Sequence, residues 1–297
     1  MSIENIKISV IVATYNQSTL LERCIDSILK QESSAPYSIH IVNDASTDDT
    51  GSIIEKYKKE YPEKVHATTY TTNQYQNGFP LEFPIIQNLE CSHIAFCDGD
   101  DYWLSKDKLE LQVREFGKNP ELSIVHTGYL FGALSSNGEV LQRRKGSEIE
   151  KSIGVENALD FIKGNEVKKS TAMFRKSALD MNFLTRCYGI RAQDWLVCAC
   201  ASLNGPIKYL EQETTVYTIS PLASYQSLDV KTKLEIKDEV RWYCAAYIPN
   251  KDVRNEYRDY LLREMLRERV SVSKVYIFIR PIVIVVRKII QYIKNVM

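Results

Sequence analysis

The sequence predicts an α/β fold, a Rossmann-like, mostly parallel central sheet flanked by helices, with a helical C-terminal extension. Three observations carry this expectation. Ile8-Ser9-Val10-Ile11-Val12-Ala13 is a near-continuous β-branched run, the pattern of a strand buried on both faces. Strand-like and helix-like segments then alternate with short connections, which implies a right-handed parallel winding. Finally, three strand ends turn polar: Thr14-Tyr15-Asn16, Asn43-Asp44 and Asp98 to Asp101. Parallel strands gather such ends around one crevice.

Taken in order, the first strand is followed by a helix with Leu20, Leu21, Cys24, Ile25, Ile28 and Leu29 along one face. Ser38 to Val42 forms the second strand. Ser46 or Thr47 is expected to cap the next helix, with Asp48 and Asp49 at its positive end. That helix buries Ile53, Ile54 and Tyr57. Val65 to Tyr70 and Ile94 to Cys97 are the next strands. Leu109, Val113 and Phe116 mark a helix that stops near Gly117-Lys118-Asn119-Pro120. Ser123 to Tyr129 is a further strand, and its lone His126 reads as structural rather than substrate-binding. Residues 135–154 are polar and form a loop or hairpin, a candidate lid. Residues 228–270 make one or two helices broken near Pro249-Asn250, with Leu234, Val240, Trp242, Tyr243 and Tyr247 packed on the body or on a partner.

The 297 residues are 44% hydrophobic and 26% charged, the balance of a soluble globular protein. Net charge is zero but uneven. Lys274, Arg280, Arg287, Lys288 and Lys294 give residues 271–297 a charge of +5, leaving −5 elsewhere. No basic face suggests a nucleic-acid partner. The seven scattered cysteines fit reduced thiols, with Cys24, Cys97, Cys198 and Cys200 as core fillers. No GxGxxG or GxxxxGK[ST] is present. The N-terminal residues lack the shape of a signal peptide, so the expected location is cytoplasmic.

Ile94 to Trp103 is the central stretch. A short apolar run ends in Asp98, Asp100 and Asp101, with Gly99 between them. Like charges so crowded are costly unless a cation joins them, and Mg²⁺ or Mn²⁺ takes few protein oxygens beside water and phosphate oxygens. The alternative is a solvated acidic turn.

Ser9 to Asn16, Cys24 to Gln31 and Val42 to Asp48 together resemble the opening of the family-two glycosyltransferases of the GT-A fold. Cys97-Asp98-Gly99-Asp100-Asp101-Tyr102-Trp103 resembles that family's metal motif, and Lys108-Leu109-x-x-Gln112 the helix of one subgroup. The resemblance covers about residues 7–227. It divides the chain into a GT-A domain (1–227), a helical extension (228–270) and a basic hydrophobic tail (271–297). It implies that Thr14, Tyr15, Asn16, Asp44 and Asp98 bind the nucleotide. Asp100 and Asp98, with Asp101, would hold Mn²⁺ or Mg²⁺. Lys169 to Ser177 is similar to a strand lining the acceptor side, and Trp103, Arg191 and Trp195 are expected on that acceptor or loop side. Asp194, opening a helix that ends at Gly205-Pro206, matches the family's base. An inverting reaction needs such a group to take the acceptor hydroxyl's proton.

One departure stands out. Where the subgroup has Tyr-Arg-x-His, this chain has Tyr217-Thr218-Ile219-Ser220. That implies weaker donor binding, replacement by another cation, or an inactive relative. Lys168, Lys169 and Arg191 are candidate replacements, though each also reads as solvated surface charge. The apolar stretch from Val275 to Val286, interrupted by Arg280 and Pro281, is too short to span a bilayer and reads as a peripheral contact with the cytoplasmic membrane, ahead of a dimer-packing helix or a buried core helix.

The resemblance therefore implies an inverting, metal-dependent transfer of sugar from a nucleoside diphosphate donor, UDP-linked, to a glycan or lipid-linked acceptor in polysaccharide assembly. A catalytically silent relative that binds nucleotide or partner proteins is the alternative. A nucleotidyltransferase would carry a Gly-rich basic loop after the first strand, and Ala13 to Ser18 offers none. A phosphatase would carry its Asp-x-Asp after the first strand.

Overall fold

The structure is a computed structural model that describes residues 5–76, 78–134, 140–145, 167–219 and 228–267. The strands are β1 (Ile8–Thr14), β2 (Tyr37–Asn43), β3 (Val65–Thr69), β4 (His93–Phe96), β5 (Tyr102–Trp103), β6 (Ile124–Leu134), β7 (Val140–Lys145), β8 (Ala172–Arg175) and β9 (Ile207–Ile219). They form one sheet in the order β3-β2-β1-β4-β8-β6-β9-β5, with β7 paired to β6. β1, β2, β3 and β4 are mutually parallel, as the alternating pattern predicts. Beyond β4 the sheet is mixed. β8 runs antiparallel to both β4 and β6, while β6 and β9 are parallel.

The helices are α1 (Leu21–Leu29), α2 (Thr50–Glu60), α3 (Phe83–Asn88), α4 (Lys108–Lys118), α5 (Met181–Leu184), α6 (Gln193–Ser202), α7 (Val230–Tyr247) and α8 (Lys251–Arg267). Side-chain alternation along β1 splits the core into two layers. Val10 and Val12 pack with Leu21, Ile25, Ile54, Leu109 and Phe116 on one face. Ile11 packs with Phe83, Ile86, Leu196 and Val240 on the other. Cys24, Cys97, Cys198 and Cys200 are buried in these layers. His126 is also core, its ring centroid 5.1 Å from that of Tyr209, and burial lowers its pKa to about 3.

Several local expectations change. α2 begins at Thr50 after Asp49, so Ser46 and Thr47 do not cap it. Asp48 instead accepts from the N–H groups of Ser18 and Thr50. Ile53 is half-buried, unlike Ile54 and Tyr57. In the extension, Val240 and Tyr243 pack on the body, whereas Leu234 and Tyr247 are exposed. β5 and β9 have no clear sequence signature, because β5 is two residues long and β9 carries the exposed Glu211-Gln212-Glu213. Residues 135–139 and 146–154 of the expected loop or hairpin, Ser220 and the tail 271–297 lie outside the described residues. Among the described residues, no helix is long and apolar enough to cross a membrane.

Candidate active site

The floor of the site is where β4 leaves the sheet beside β1. Gly99 N–H donates to the Ala13 carbonyl at 2.9 Å, so the acidic turn is stitched to the end of β1. A Cβ at Gly99 would lie 2.9 Å from Thr14 Oγ1 and would also strike Gln17 Oε1, which explains a glycine between two aspartates. Thr14 itself is buried and its hydroxyl donates to Gln17 Oε1 at 2.9 Å.

The three aspartates differ in surroundings. The Asp98 side chain is 37% exposed. Asp100 is partly buried. Burial, then the nearby Asp98 charge, pushes its pKa up to about 6, against a bond from Gln17 and the field of Arg23. Arg23 also donates to the Asp100 carbonyl at 3.2 Å and stacks on the Tyr102 ring. Asp101 is 1% exposed. One oxygen accepts from Thr218 N–H at 2.8 Å and the other from Ser170 Oγ at 2.5 Å. Both oxygens are thus committed to bracing β9 and the 3-10 turn Lys169–Thr171, and burial holds the Asp101 carboxyl well above its usual range.

At the ends of β1, β2 and β3, Tyr15 is 40% exposed and presents an aromatic surface. Asn16, at φ 50°, locks two loops together. Its N–H donates to Ser46 Oγ, and its Oδ1 accepts from Thr47 N–H at 2.7 Å. Asp44 is 2% exposed, and its two oxygens accept from the N–H groups of Gln74 (2.6 Å) and Tyr75 (3.0 Å). Asp44, expected to bind the nucleotide, clasps the 71–82 loop through both of its oxygens.

A group that sequence reasoning assigns to the surface lies inside the site. Lys169 Nζ is 2.8 Å from Glu82 Oε1 and 3.2 Å from Asp98 Oδ1, with both members of the Lys169–Glu82 pair largely buried. Burial alone would lower the Lys169 pKa, but Asp98, Glu82 and Asp194 raise it. Glu82 is shifted up by burial, with Lys169 opposing. Asp194, in the first turn of α6, is close enough to act electrostatically on Lys169, Glu82 and Tyr217. The signal for Glu82 was present in sequence. It is one acid inside the apolar run Phe79-Pro80-Leu81-Glu82-Phe83, and such a group needs a partner.

Trp103, Trp195 and Arg191 are the residues expected on the acceptor or loop side. Trp103 is 3% exposed, donates from its indole to the Ser170 carbonyl and carries the buried Lys108 ammonium over its ring. Trp195 is 5% exposed and belongs to the core. Arg191 turns away to Glu239 of α7 at 2.8 Å. Large aromatic and forked side chains gain more here from burial and pairing than from facing solvent. Among the described residues, no three His, Cys, Asp or Glu side chains converge as a ready metal cage.

The sequence model described as glycosyl transferase family 2 matches residues 9–182, more than half of the chain. The chain belongs to this family. An uncharacterized protein of Mycobacterium tuberculosis is 27% identical over 214 residues, 70% of this chain and 58% of its own length. The poly(ribitol-phosphate) beta-glucosyltransferase of Bacillus spizizenii is 36% identical over 97 residues, 32% of this chain and 15% of its own. The chain thus spans little more than half of the first of these relatives and a small part of the second. Among solved structures, a 1–349 fragment of S. aureus TarS in complex with UDP-GlcNAc is similar, with a TM-score of 0.65 and 20% identity, covering 93% of this chain and 79% of that one. At that identity the likeness establishes the GT-A fold of this family-two member.

Proposed function

We propose that this family-two chain is an inverting, metal-dependent glycosyltransferase that uses a UDP-linked sugar and a glycan or lipid-linked acceptor in polysaccharide assembly. The observation that supports it is that Asp98, just after β4, and Asp194, in the first turn of α6, both act on the Lys169 ammonium, which lies 3.2 Å from Asp98. The TarS fold neighbour is a complex with UDP-GlcNAc, which supports a nucleotide-sugar donor. Relatives named for sugar transfer to poly(ribitol phosphate) support the acceptor class.

In this reading the Tyr15 ring meets the base, and the 71–82 loop, placed by Asp44, walls the nucleotide. Asp98 and Asp100 fit Mn²⁺ or Mg²⁺, hard ions that keep water and substrate oxygens in their shell and so need no protein cage. A bound ion supplies positive charge against the departing diphosphate. Asp101 supports from behind as a brace. The Asp194 carboxylate takes the proton from the acceptor hydroxyl as that oxygen attacks the anomeric carbon opposite the leaving group. The division at residue 227 and a membrane contact by residues 271–297 complete the proposal on sequence grounds.

The silent-relative reading is favoured by one observation, the uncharged Thr218 on β9. Calorimetric titration with UDP, GDP and CDP, with and without Mn²⁺, followed by a panel of the matching donor sugars, separates the two. The expected result is Mn²⁺-dependent preference for UDP, and turnover that Asp194→Asn lowers by about 10³-fold or more without weakening UDP binding, since loss of a general base alone costs about 10²–10⁴. Binding without turnover on any donor would establish the silent relative, and preference for GDP or CDP would change the donor.

A further inference from the structure

We propose that Lys169 binds the donor's diphosphate, supplying the cation that β9 lacks at Thr218, and that Glu82 is the positioning residue that holds it there. The inference rests on the donor-site reading above.

Elimination narrows the choice first. Of the three cations that could replace the missing charge, Arg191 is engaged by Glu239, and Lys168 lies over the Tyr217 ring at 5.3 Å. Lys169 alone of these reaches the acidic turn, 3.2 Å from Asp98. The pairing itself needs a reason. A buried ion pair is a poor way to gain stability, because desolvating both charges offsets most of their attraction. Yet Glu82 and Lys169, 87 residues apart, are both withdrawn from solvent and bonded at 2.8 Å.

The arrangement leaves the ammonium ready for a third partner. A lysine has three N–H donors; one is given to Glu82, Asp98 lies 3.2 Å away as an ion pair, and the Phe96 ring centroid lies 5.1 Å from the same Nζ. Its backbone is fixed as well. Lys169 opens the 3-10 turn whose next residue, Ser170, bonds Asp101 through its hydroxyl and the Trp103 indole through its carbonyl. Glu82 stands at the start of α3, where the 71–82 loop clasped by Asp44 ends. The cation is therefore held from both sides, against Glu82 and beside Asp98, the proposed ribose and metal carboxylate. That is where charge builds on a leaving diphosphate.

The test is titration of UDP, UMP and uridine, with Mn²⁺ and with EDTA, into wild type, Lys169→Met, Lys169→Arg, Glu82→Gln and the double variant Glu82→Gln/Lys169→Met. The double variant removes both charges, so no unpaired carboxylate is left buried. UDP binding should weaken about tenfold or more in Lys169→Met and in the double variant, as for loss of a charge-assisted hydrogen bond. Uridine binding should stay within about twofold, and the UDP loss should persist in EDTA. Lys169→Arg should recover most of the affinity, and Glu82→Gln should lose part of it. Unchanged UDP affinity in the double variant, or equal losses for UDP and uridine, would overturn the proposal while leaving the donor site standing. A wild type that binds neither UDP nor uridine would overturn the donor-site reading before any variant is compared.

Discussion

Asp100 and Asp101 are adjacent, yet one side chain is partly open and the other is bonded through both oxygens. Burial, and then the charge of Asp98, raises the Asp100 pKa from 3.8 to about 6, so the folded state holds its proton more tightly than the unfolded chain does. The sign follows. This group favours folding while it is protonated, and the advantage is lost as pH rises from about 4 to about 6. At neutral pH the metal-free protein then carries a penalty of up to about 3 kcal/mol, from roughly two pKa units at 1.36 kcal/mol each. Asp100→Asn should therefore raise the Tm of metal-free protein at pH 7.5 and leave it nearly unchanged at pH 4. The same variant should abolish any gain in UDP affinity from Mn²⁺. Thermal melts at the two pH values, with a titration at pH 7.5, check both halves. A lower Tm at pH 7.5 would mean that Asp100 is a structural brace like Asp101. Stability given up at a binding residue is a common cost of function.

At the scale of elements, the site depends on two loops crossing. The 71–82 loop and the segment before α6 meet at Gly78 and Gly189, where Gly189 N–H donates to the Gly78 carbonyl at 2.6 Å. Both have positive φ, 68° and 80°, and a Cβ on Gly78 would lie 2.6 Å from the Gly189 Cα. Phe79 packs on Tyr188, and Gln193 donates to the Phe79 carbonyl. The proposed nucleotide wall is thus fastened to the start of the helix that carries Asp194. Gly78→Ala should force the loops apart through both strain and backbone collision, at about 1–3 kcal/mol. Its kinetic signature should be a fall in kcat together with a rise in donor KM, because one crossing sets both sides. A change in KM alone would uncouple the wall from α6. This level of organisation is the part that sequence conceals. β1, β2, α1 and the acidic turn were legible because each is a local pattern of burial or charge. Glu82 with Lys169, and Gly78 with Gly189, are matched only through the folded chain, and no periodicity announces a partner about a hundred residues away. The burial of Trp103 and Trp195 and the pairing of Arg191 with Glu239 are hidden for the same reason, since proximity to a motif in sequence does not say which way a side chain faces.

For the whole molecule, the question is whether the helical extension is a domain of its own. Residues of α7 and α8, including Val240, Tyr243, Cys244, Tyr257 and Leu261, share one continuous apolar layer with Phe83, Ile86 and Leu196 of the body. Tyr243 also donates its hydroxyl to the Phe183 carbonyl, and Arg191 pairs with Glu239 just before α6. A layer filled from both parts leaves the extension without a core of its own, so the described body and extension should unfold together. Val240 is fully buried at that junction. Val240→Ala should cost about 2 kcal/mol from lost burial and the cavity it leaves. Scanning calorimetry should show a single transition displaced downward by a few degrees, and UDP with Mn²⁺ should raise that same transition in wild type and variant alike. If the extension were independent, a small early transition would separate from a main one that stays in place, and only the main one would respond to nucleotide. The unified outcome would make α7 and α8 part of the catalytic body, because the helix bearing Asp194 would have them as its outer support.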